Sequence, residues 1–573
     1  MKTFLELKKN LKKDFSQLEA KRVALLGDSS TQLLMQALKA TGYERGYHLN
    51  IFEADFNQIE RQIFDNSSEL YEFKPEFIII FQSAHKLLYR YNKKSIGEAV
   101  GLANERLETI SGFISAIQAN LNAKIIYYNY PEINDSLFGN YANNIEVSFL
   151  YQLRKLNYEL MNLSIQHPNF FICDMSSIQN QLGKSVMFDT SVYINTEMVL
   201  SLDALPHIAY RTLDLIAAVS GKFKKCLILD LDNTTWGGII GDDGIENIQV
   251  GTLGIGKAFT ELQLWAKKLK ERGIILAVCS KNTESVAKEP FEKHPDMVLR
   301  LDDIAVFVAN WDNKADNIRH IQQVLNIGFD SMVFLDDNPF ERNLVREHIK
   351  DITVPELPED PADYLEYLYT LNLFETVSFS ELDAERTKQY QVEAQRAELQ
   401  KKYTNEEDYL KTLDMTSLVE PFNKFNTPRV AQLSQRSNQF NLRTVRYTEA
   451  DIELLAQSEK YHTFAFTLDD KFGENGLICV IILEKTGEHD LFINTWLMSC
   501  RVLKRGMEDF VLNTIVDFAK ENGYERIVGE YIPTPKNEMV RDHYKNLGFT
   551  EADGKWEMEV DAYIFKNVYI TKK

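Results

Sequence analysis

Two aspartates one residue apart, Asp230 and Asp232, close the apolar run Cys226-Leu-Ile-Leu229. A buried strand that stops at acidic side chains delivers them to the end of a sheet, where open α/β folds bind ligands. Side chains two residues apart on a strand share a face. Two like charges held that close are costly unless a cation or a shared proton separates them. The pattern suits a divalent metal with one carboxylate left to attack. Three further pieces match it. Ile274–Cys279 is a second apolar run and stops at Ser280-Lys281-Asn282, Lys314 opens a helical segment, and Ser331–Leu335 is a third strand-like run that stops at Asp336-Asp337. Each chemical residue falls at a strand end or a helix start, so all of them can converge at one edge of a parallel sheet.

The residue types specify the chemistry. A carboxylate is a competent nucleophile toward phosphorus and forms an aspartyl-phosphate. A second carboxylate can protonate the leaving oxygen and later activate water. A hydroxyl and a lysine can hold the transferring oxygens as their charge develops. The expected roles are Asp230 as nucleophile, Asp232 as general acid/base, and Ser280 and Lys314 as phosphate holders. Mg2+ prefers oxygen ligands. Its expected site is Asp230, the main-chain carbonyl of Asp232, and Asp336 or Asp337. Singly, each residue also has a bland reading as a cap, a loop residue or a solvated charge; in register they do not.

Asp230-x-Asp232-x-Thr234, Ser280, Lys314 and Asp336-Asp337, in that order, resemble the four motifs of the haloacid dehalogenase-like phosphatases. The longer stretches Leu229–Gly241, Cys279-Ser-Lys-Asn282, Trp311-Asp-Asn-Lys314 and Phe334–Arg342 resemble the FkbH-like branch (subfamily IIIC), strongly over roughly residues 220–420. Thr235 departs from the pattern, because a leucine is more usual before Trp236. The resemblance implies a Rossmann-like parallel-sheet core and Mg2+. It implies a small phosphorylated three-carbon acid as substrate and loading of the acyl group onto an acyl carrier protein. It also implies Thr234, Lys281 and Asn282 as substrate or phosphate contacts. A simple phosphatase and an inactive carrier-binding scaffold are the competing readings.

Positioning these residues requires a core at about 221–360. The segment from Asp232 to Ser280 holds a glycine-rich turn and one amphipathic helix near Lys257–Arg272, on which Phe259, Leu262, Trp265, Ala266 and Leu269 share a face. No inserted cap fits there. Strand-like pieces are expected at Met297–Leu301 and Val306–Val308. Trp236 either touches substrate or packs. Cys279, beside Lys281 and ahead of a helix, could carry an acyl group as a thiolate. Alternation along the strand turns it away from Ser280 and favours an inert thiol.

Residues 1–220 read as an α/β unit with strands at Arg22–Gly27, Phe77–Phe81, Ala123–Tyr128 and Phe170–Asp174. Gly27-Asp28-Ser29 resembles the nucleophile block of SGNH-type esterases, and His207 would be the base for Ser29. The Gly-x-Asn-Asp element of that family is replaced by Phe81-Gln-Ser-Ala-His85, so a non-hydrolytic domain is expected. Residues 361–420 read as a helical connector, with a helix start at Ser380–Asp383 and a charged helix from Glu385 to Tyr403. Residues 421–573 read as a last α/β domain. Its Asp542–Phe549 element resembles the GNAT acyltransferases, and Cys500–Gly506 stands where their pyrophosphate loop would lie. Glu508 is a poor neighbour for pyrophosphate, so acetyl transfer is not expected.

Composition sets the outer bounds. The chain has 573 residues, a formal net charge of −20, 44% apolar and 11% aromatic residues, and five scattered cysteines. Such a charge disfavours nucleic acid. Neither a membrane span nor a signal peptide is legible, and unpaired cysteines suit a reduced, cytoplasmic setting. Docking an acidic carrier protein would need a local basic patch, for which Lys222–Lys225 and Arg501–Arg505 are the candidates.

Overall fold

The computed structural model describes residues 1–379, 390–392, 396, 399, 403, 405–499, 502–534 and 536–573. The chain forms two compact units, Met1–Ala217 and Ala218–Lys573. The expected helix start at Ser380–Asp383, most of the Glu385–Tyr403 helix, Cys500 and Arg501 lie outside the described residues. No described helix is long and apolar enough to cross a membrane.

The first unit is a five-stranded parallel sheet. Its strands are β1 (Glu19–Gly27), β2 (Tyr47–Glu53), β3 (Phe77–Phe81), β4 (Lys124–Tyr128) and β5 (Phe170–Cys173), in the order β2-β1-β3-β4-β5. All of Phe77–Phe81 is buried, as a central parallel strand covered on both faces must be. Strand β2 was not expected. It lies at the edge and carries His48 and Asn50 to solvent among its apolar residues, so its signal is diluted. The strand order reverses between β1 and β3, which places Gly27-Asp28-Ser29 at the switch point.

The second unit contains two sheets. The phosphatase-like one has β6 (Cys226–Leu229), β7 (Ile275–Ser280), β8 (Ile304–Ala309) and β9 (Met332–Leu335), all parallel, in the order β8-β7-β6-β9. Leu229 pairs with both Val278 and Leu335, so Asp230 and Asp336 each leave the sheet one residue past a shared rung. The expected amphipathic helix spans Gly256–Glu271, with Phe259, Leu262, Ala266 and Leu269 buried. Between Asp232 and Ser280 it is joined only by a short helix, Ile240–Asp243, and the core is uncapped. Met297–Leu301 is not a strand. The amides of Val298 and Leu299 both donate to Gln263 Oε1 at 2.9 and 3.2 Å, a side chain doing what a neighbouring strand would have done.

The other sheet is mixed and nine-stranded. It comprises β10 (Met415–Ser417), β11 (Val419–Glu420), β12 (Tyr461–Asp470), β13 (Gly473–Lys485), β14 (Asp490–Met498), β15 (Arg526–Gly529), β16 (Thr550–Ala552), β17 (Lys555–Glu559) and β18 (Ile570–Lys572). Strands β14 and β15 are parallel and pair only over Asp490–Phe492 and Arg526–Val528. Past that point the chain fills the gap with its own backbone. Met498 N–H donates to the Phe440 carbonyl at 3.0 Å, Leu442 N–H to that of Trp496 at 3.2 Å, and Ile532 N–H to that of Leu442 at 2.9 Å. Residues Phe440–Leu442 thus lie as a strand-like insert between β14 and the segment that follows β15.

Candidate active site

The acidic edge of the four-stranded sheet assembles as strands β6 and β9 end. Asp230 N–H donates to the Leu335 carbonyl at 3.0 Å, which locks the two strand ends together. Carboxylate oxygens of Asp230, Asp336 and Asp337 come within 4.8 Å of one another. Lys314 enters this cluster from the first turn of the helix Lys314–Leu325, whose start is fixed by Asn313 accepting from Ala315 N–H at 2.7 Å. Its ammonium lies 3.0 Å from Asp230 Oδ2 and 2.6 Å from Asp336 Oδ2, with all three side chains buried.

The electrostatics follow from that crowding. Burial pushes the Lys314 ammonium down, but Asp230 and Asp336 outweigh it and hold the group above the ordinary lysine range. Burial, then the Asp230 charge, pushes Asp336 up to about 6 against the pull of Lys314. Asp337 is raised by the same two causes. Asp230 Oδ1 is buried with no hydrogen-bond partner. An orphaned carboxylate oxygen facing two more carboxylates fits a hard divalent cation, whose bonds would satisfy it. The donor set is all oxygen, as Mg2+ prefers.

Asp232 is held apart from this cluster. Its Oδ1 accepts from Trp236 Nε1 and from Ile240 N–H, both at 3.0 Å. Its Oδ2 accepts from Asn282 Nδ2 at 3.2 Å. Burial raises its carboxyl, and the Ile240 and Trp236 hydrogen bonds oppose that rise. Trp236 is fully buried and packs edge-on against Phe291, so it does not line an open surface. The turn that makes this possible leans on glycine. A Cβ on Gly237 would meet Gln249 Oε1 and Phe259 Cε2 at 2.7 Å, and Gly238 has φ +91°.

Several expected contacts are otherwise engaged. Thr234 is buried and braces Asp337: the Asp337 N–H donates to its hydroxyl at 3.0 Å, and that hydroxyl lies 3.3 Å from Asp337 Oδ1. Lys281 is tied to the buried Glu341 at 2.6 Å. Asn282 serves Asp232. Ser280 is buried at the end of β7, beside the acidic edge. Thr235, the departure from the family pattern, donates its hydroxyl to the Asp230 carbonyl at 2.6 Å, which a leucine there could not do. Arg342 had no expected role, yet it donates from one nitrogen to the carbonyls of Asp336 and Asp337 at 2.8 and 2.6 Å and fixes the metal-side turn. Its sequence signal was its place six residues after Asp336, about one turn into the helix that Asn338 caps.

Residues 22–217 match the family described as FkbH, N-terminal domain. The crystal structure of the N-terminal part of the protein BF1531 from Bacteroides fragilis, containing a phosphatase domain complexed with Mg, is 62% identical. It covers 66% of this chain and 100% of its own, with a TM-score of 0.64. The chain belongs to the FkbH-like family. The ribosomal-protein-S18-alanine N-acetyltransferase from Escherichia coli is similar at 16% identity over 25% of this chain and 94% of its own, with a TM-score of 0.21, too slight an agreement to bear on function. No curated protein matches the chain.

In this FkbH-like chain Cys279, Ser29, His207 and the two basic patches are the remaining candidates. Cys279 is buried, its thiol faces the Lys314 carbonyl at 3.7 Å, and burial drives its pKa well above the ordinary thiol range. That enclosure suits the inert thiol that alternation along the strand favours over an acyl-carrying thiolate. Ser29 is buried, with a hydroxyl that makes no well-formed hydrogen bond. His207 sits on the helix Ala204–Val219, where burial, then the N-terminal ammonium and Arg211, lower its pKa. The histidine close to the Asp28 loop is His85, one of the residues replacing the expected esterase element. Asp28 accepts from Ser83 N–H at 3.0 Å, and the His85 ring packs on Phe188 and Tyr193. Burial lowers His85 to about 4. The first basic patch is also consumed, as Lys224 and Lys225 donate to the carbonyls of Asp330 and Arg436 at 2.7 and 2.6 Å. In the second, Arg505 pairs with the buried Asp470 at 3.3 Å.

Proposed function

We propose that this chain is a Mg2+-dependent phosphatase that works through an aspartyl-phosphate on a small phosphorylated acid. The observation that carries the reading is the convergence of Asp230, Asp336 and Asp337 around an unpartnered buried carboxylate oxygen, with Lys314 alongside. Asp230, Asp336 or Asp337 and the Asp232 carbonyl would hold the cation. When bound, it would neutralise the carboxylates and draw charge from the phosphoryl oxygens.

The chain's own groups then divide the work. An Asp230 oxygen attacks phosphorus, and the bond to the leaving oxygen breaks. Asp232 gives its proton to that oxygen, then takes one from the water that cleaves the aspartyl-phosphate. Lys314 and Ser280 steady the transferring oxygens. The uncapped core admits a large substrate, which suits a phosphate carried with, or delivered to, an acyl carrier protein. A glyceryl-phosphate-type acid coupled to acyl loading is the finer form of the proposal. The enclosure of Cys279 favours a second form, in which the acid is simply released, because the site offers no thiol of its own to relay an acyl group.

Replacement of Asp230 by Asn is expected to abolish Mg2+-dependent phosphate release from acetyl phosphate, a loss of at least ~10³-fold for a missing nucleophile. Undiminished release would remove Asp230 from that role. Mass spectrometry of an acyl carrier protein incubated with 1,3-bisphosphoglycerate and the enzyme separates loading, seen as a mass increase, from hydrolysis alone.

A further inference from the structure

The proton donor in the proposed reaction is more tightly specified than its role alone requires. Three donors from three different parts of the core converge on Asp232. They are the Trp236 indole, the Ile240 amide at the start of the helix Ile240–Asp243, and the Asn282 side chain just past β7. The division is unequal. Oδ1 receives two hydrogen bonds at 3.0 Å, whereas Oδ2 receives one at 3.2 Å from a primary amide. Of the three donors, the indole is buried in a packed cluster with Phe291 and the amide belongs to backbone, so neither can turn away.

We propose that Trp236 is a positioning residue for leaving-group protonation: with the Ile240 amide it saturates Asp232 Oδ1, so that Oδ2 is the oxygen that carries and delivers the proton. This rests on the phosphatase reading above. The physical reason is simple. A proton on Oδ1 would meet two N–H groups already directed at that atom. A proton on Oδ2 displaces only the single, longer contact from Asn282. The clamp also stops the carboxyl from rotating, which would take the proton off the line of the breaking P–O bond.

In the step concerned, the pair of electrons in the P–O bond leaves with the oxygen, the Asp230–P bond forms, and the Oδ2 proton moves to the departing oxygen. The help is needed in proportion to the basicity of that oxygen. An alkoxide leaving group requires the proton. A nitrophenolate or a carboxylate departs nearly without it. Loss of the clamp therefore has a signature that general damage to the core lacks.

The test compares Mg2+-dependent turnover of glycerol phosphate and p-nitrophenyl phosphate by the full chain and its W236F variant. Phenylalanine retains most of the packing and removes only the N–H and one ring. The glycerol phosphate rate is expected to fall at least ~30-fold further than the p-nitrophenyl phosphate rate, within the range general acid catalysis supplies, in kcat rather than KM. An equal fall for both substrates would overturn the inference. If W236F fails to fold by circular dichroism, a benzothienylalanine at position 236, an isostere without the N–H, replaces it under the same two criteria. Failure of the underlying reading looks different: the unaltered protein would turn over neither substrate, or D230N would remain active on both.

Discussion

At the scale of single residues, the site is a set of charges whose positions are fixed by neutral neighbours. Thr235 holds the Asp230 carbonyl, Thr234 braces Asp337, and Arg342 gathers the carbonyls of Asp336 and Asp337. The charged residues were legible in the sequence because carboxylates at the ends of apolar runs are rare and stand out. Their neighbours were not, because a threonine or an arginine in a helix has many ordinary uses. Trp236 was half legible: its place after the acidic pair marked it, but its indole nitrogen is aimed by a fold the sequence does not display. A residue-scale prediction concerns the other unit. Burial pushes the Asp28 carboxyl up to about 6, whereas an unfolded aspartate titrates near about 3.9. The native state therefore keeps a proton that the unfolded state releases. The stability this contributes is full below about pH 4 and is lost as pH rises through about 6. Asp28→Asn is expected to flatten that part of the pH profile. Urea unfolding at pH 4.5 and 7 measures it, and an unchanged slope would show that Asp28 is not its source.

At the scale of elements, three strand ends and one helix start do the positioning. Short buried runs gave β6, β7 and β9 away, since each is apolar on both faces as a central parallel strand must be. The same rule misread Met297–Leu301, where Gln263 takes the backbone amides and leaves no ladder for a strand. It also passed over β2, whose edge position lets polar residues alternate with apolar ones. The helix that carries Lys314 depends on its cap. Asn313→Ala removes the acceptor for Ala315 N–H and is expected to cost about 1 kcal/mol of stability. Because Lys314 is the next residue, turnover should fall as well. Chemical denaturation and kcat measured on the same preparation test both; a stability loss with kcat intact would show that Lys314 is placed by the carboxylates rather than by the cap.

At the scale of the whole molecule, the chain forms two compact units, Met1–Ala217 and Ala218–Lys573. The phosphatase-like sheet and the nine-stranded sheet share the second unit, where Lys225 donates to the Arg436 carbonyl, Asn438 to the Gly221 carbonyl and Lys536 to Asp330, across what the sequence presents as separate domains. Such long-range pairings have no local pattern, so they were invisible beforehand. The first unit has its own core, from Ala24 to Phe170. A fragment of residues 1–217 is expected to unfold cooperatively by itself. Circular dichroism and tryptophan-free near-UV signals that melt together would bear this out; a broad, probe-dependent melt would refute it.

The strand-like insert at Phe440–Leu442 has a consequence for ligand competition. An extended ligand seeking the gap between β14 and β15 would compete with a tethered rival, not with water. A segment joined to its slot by a short stretch of chain acts at an effective concentration in the millimolar range. A free rival takes half of those rungs only when its concentration reaches that value multiplied by the ratio of its own dissociation constant for the bare edge to the segment's.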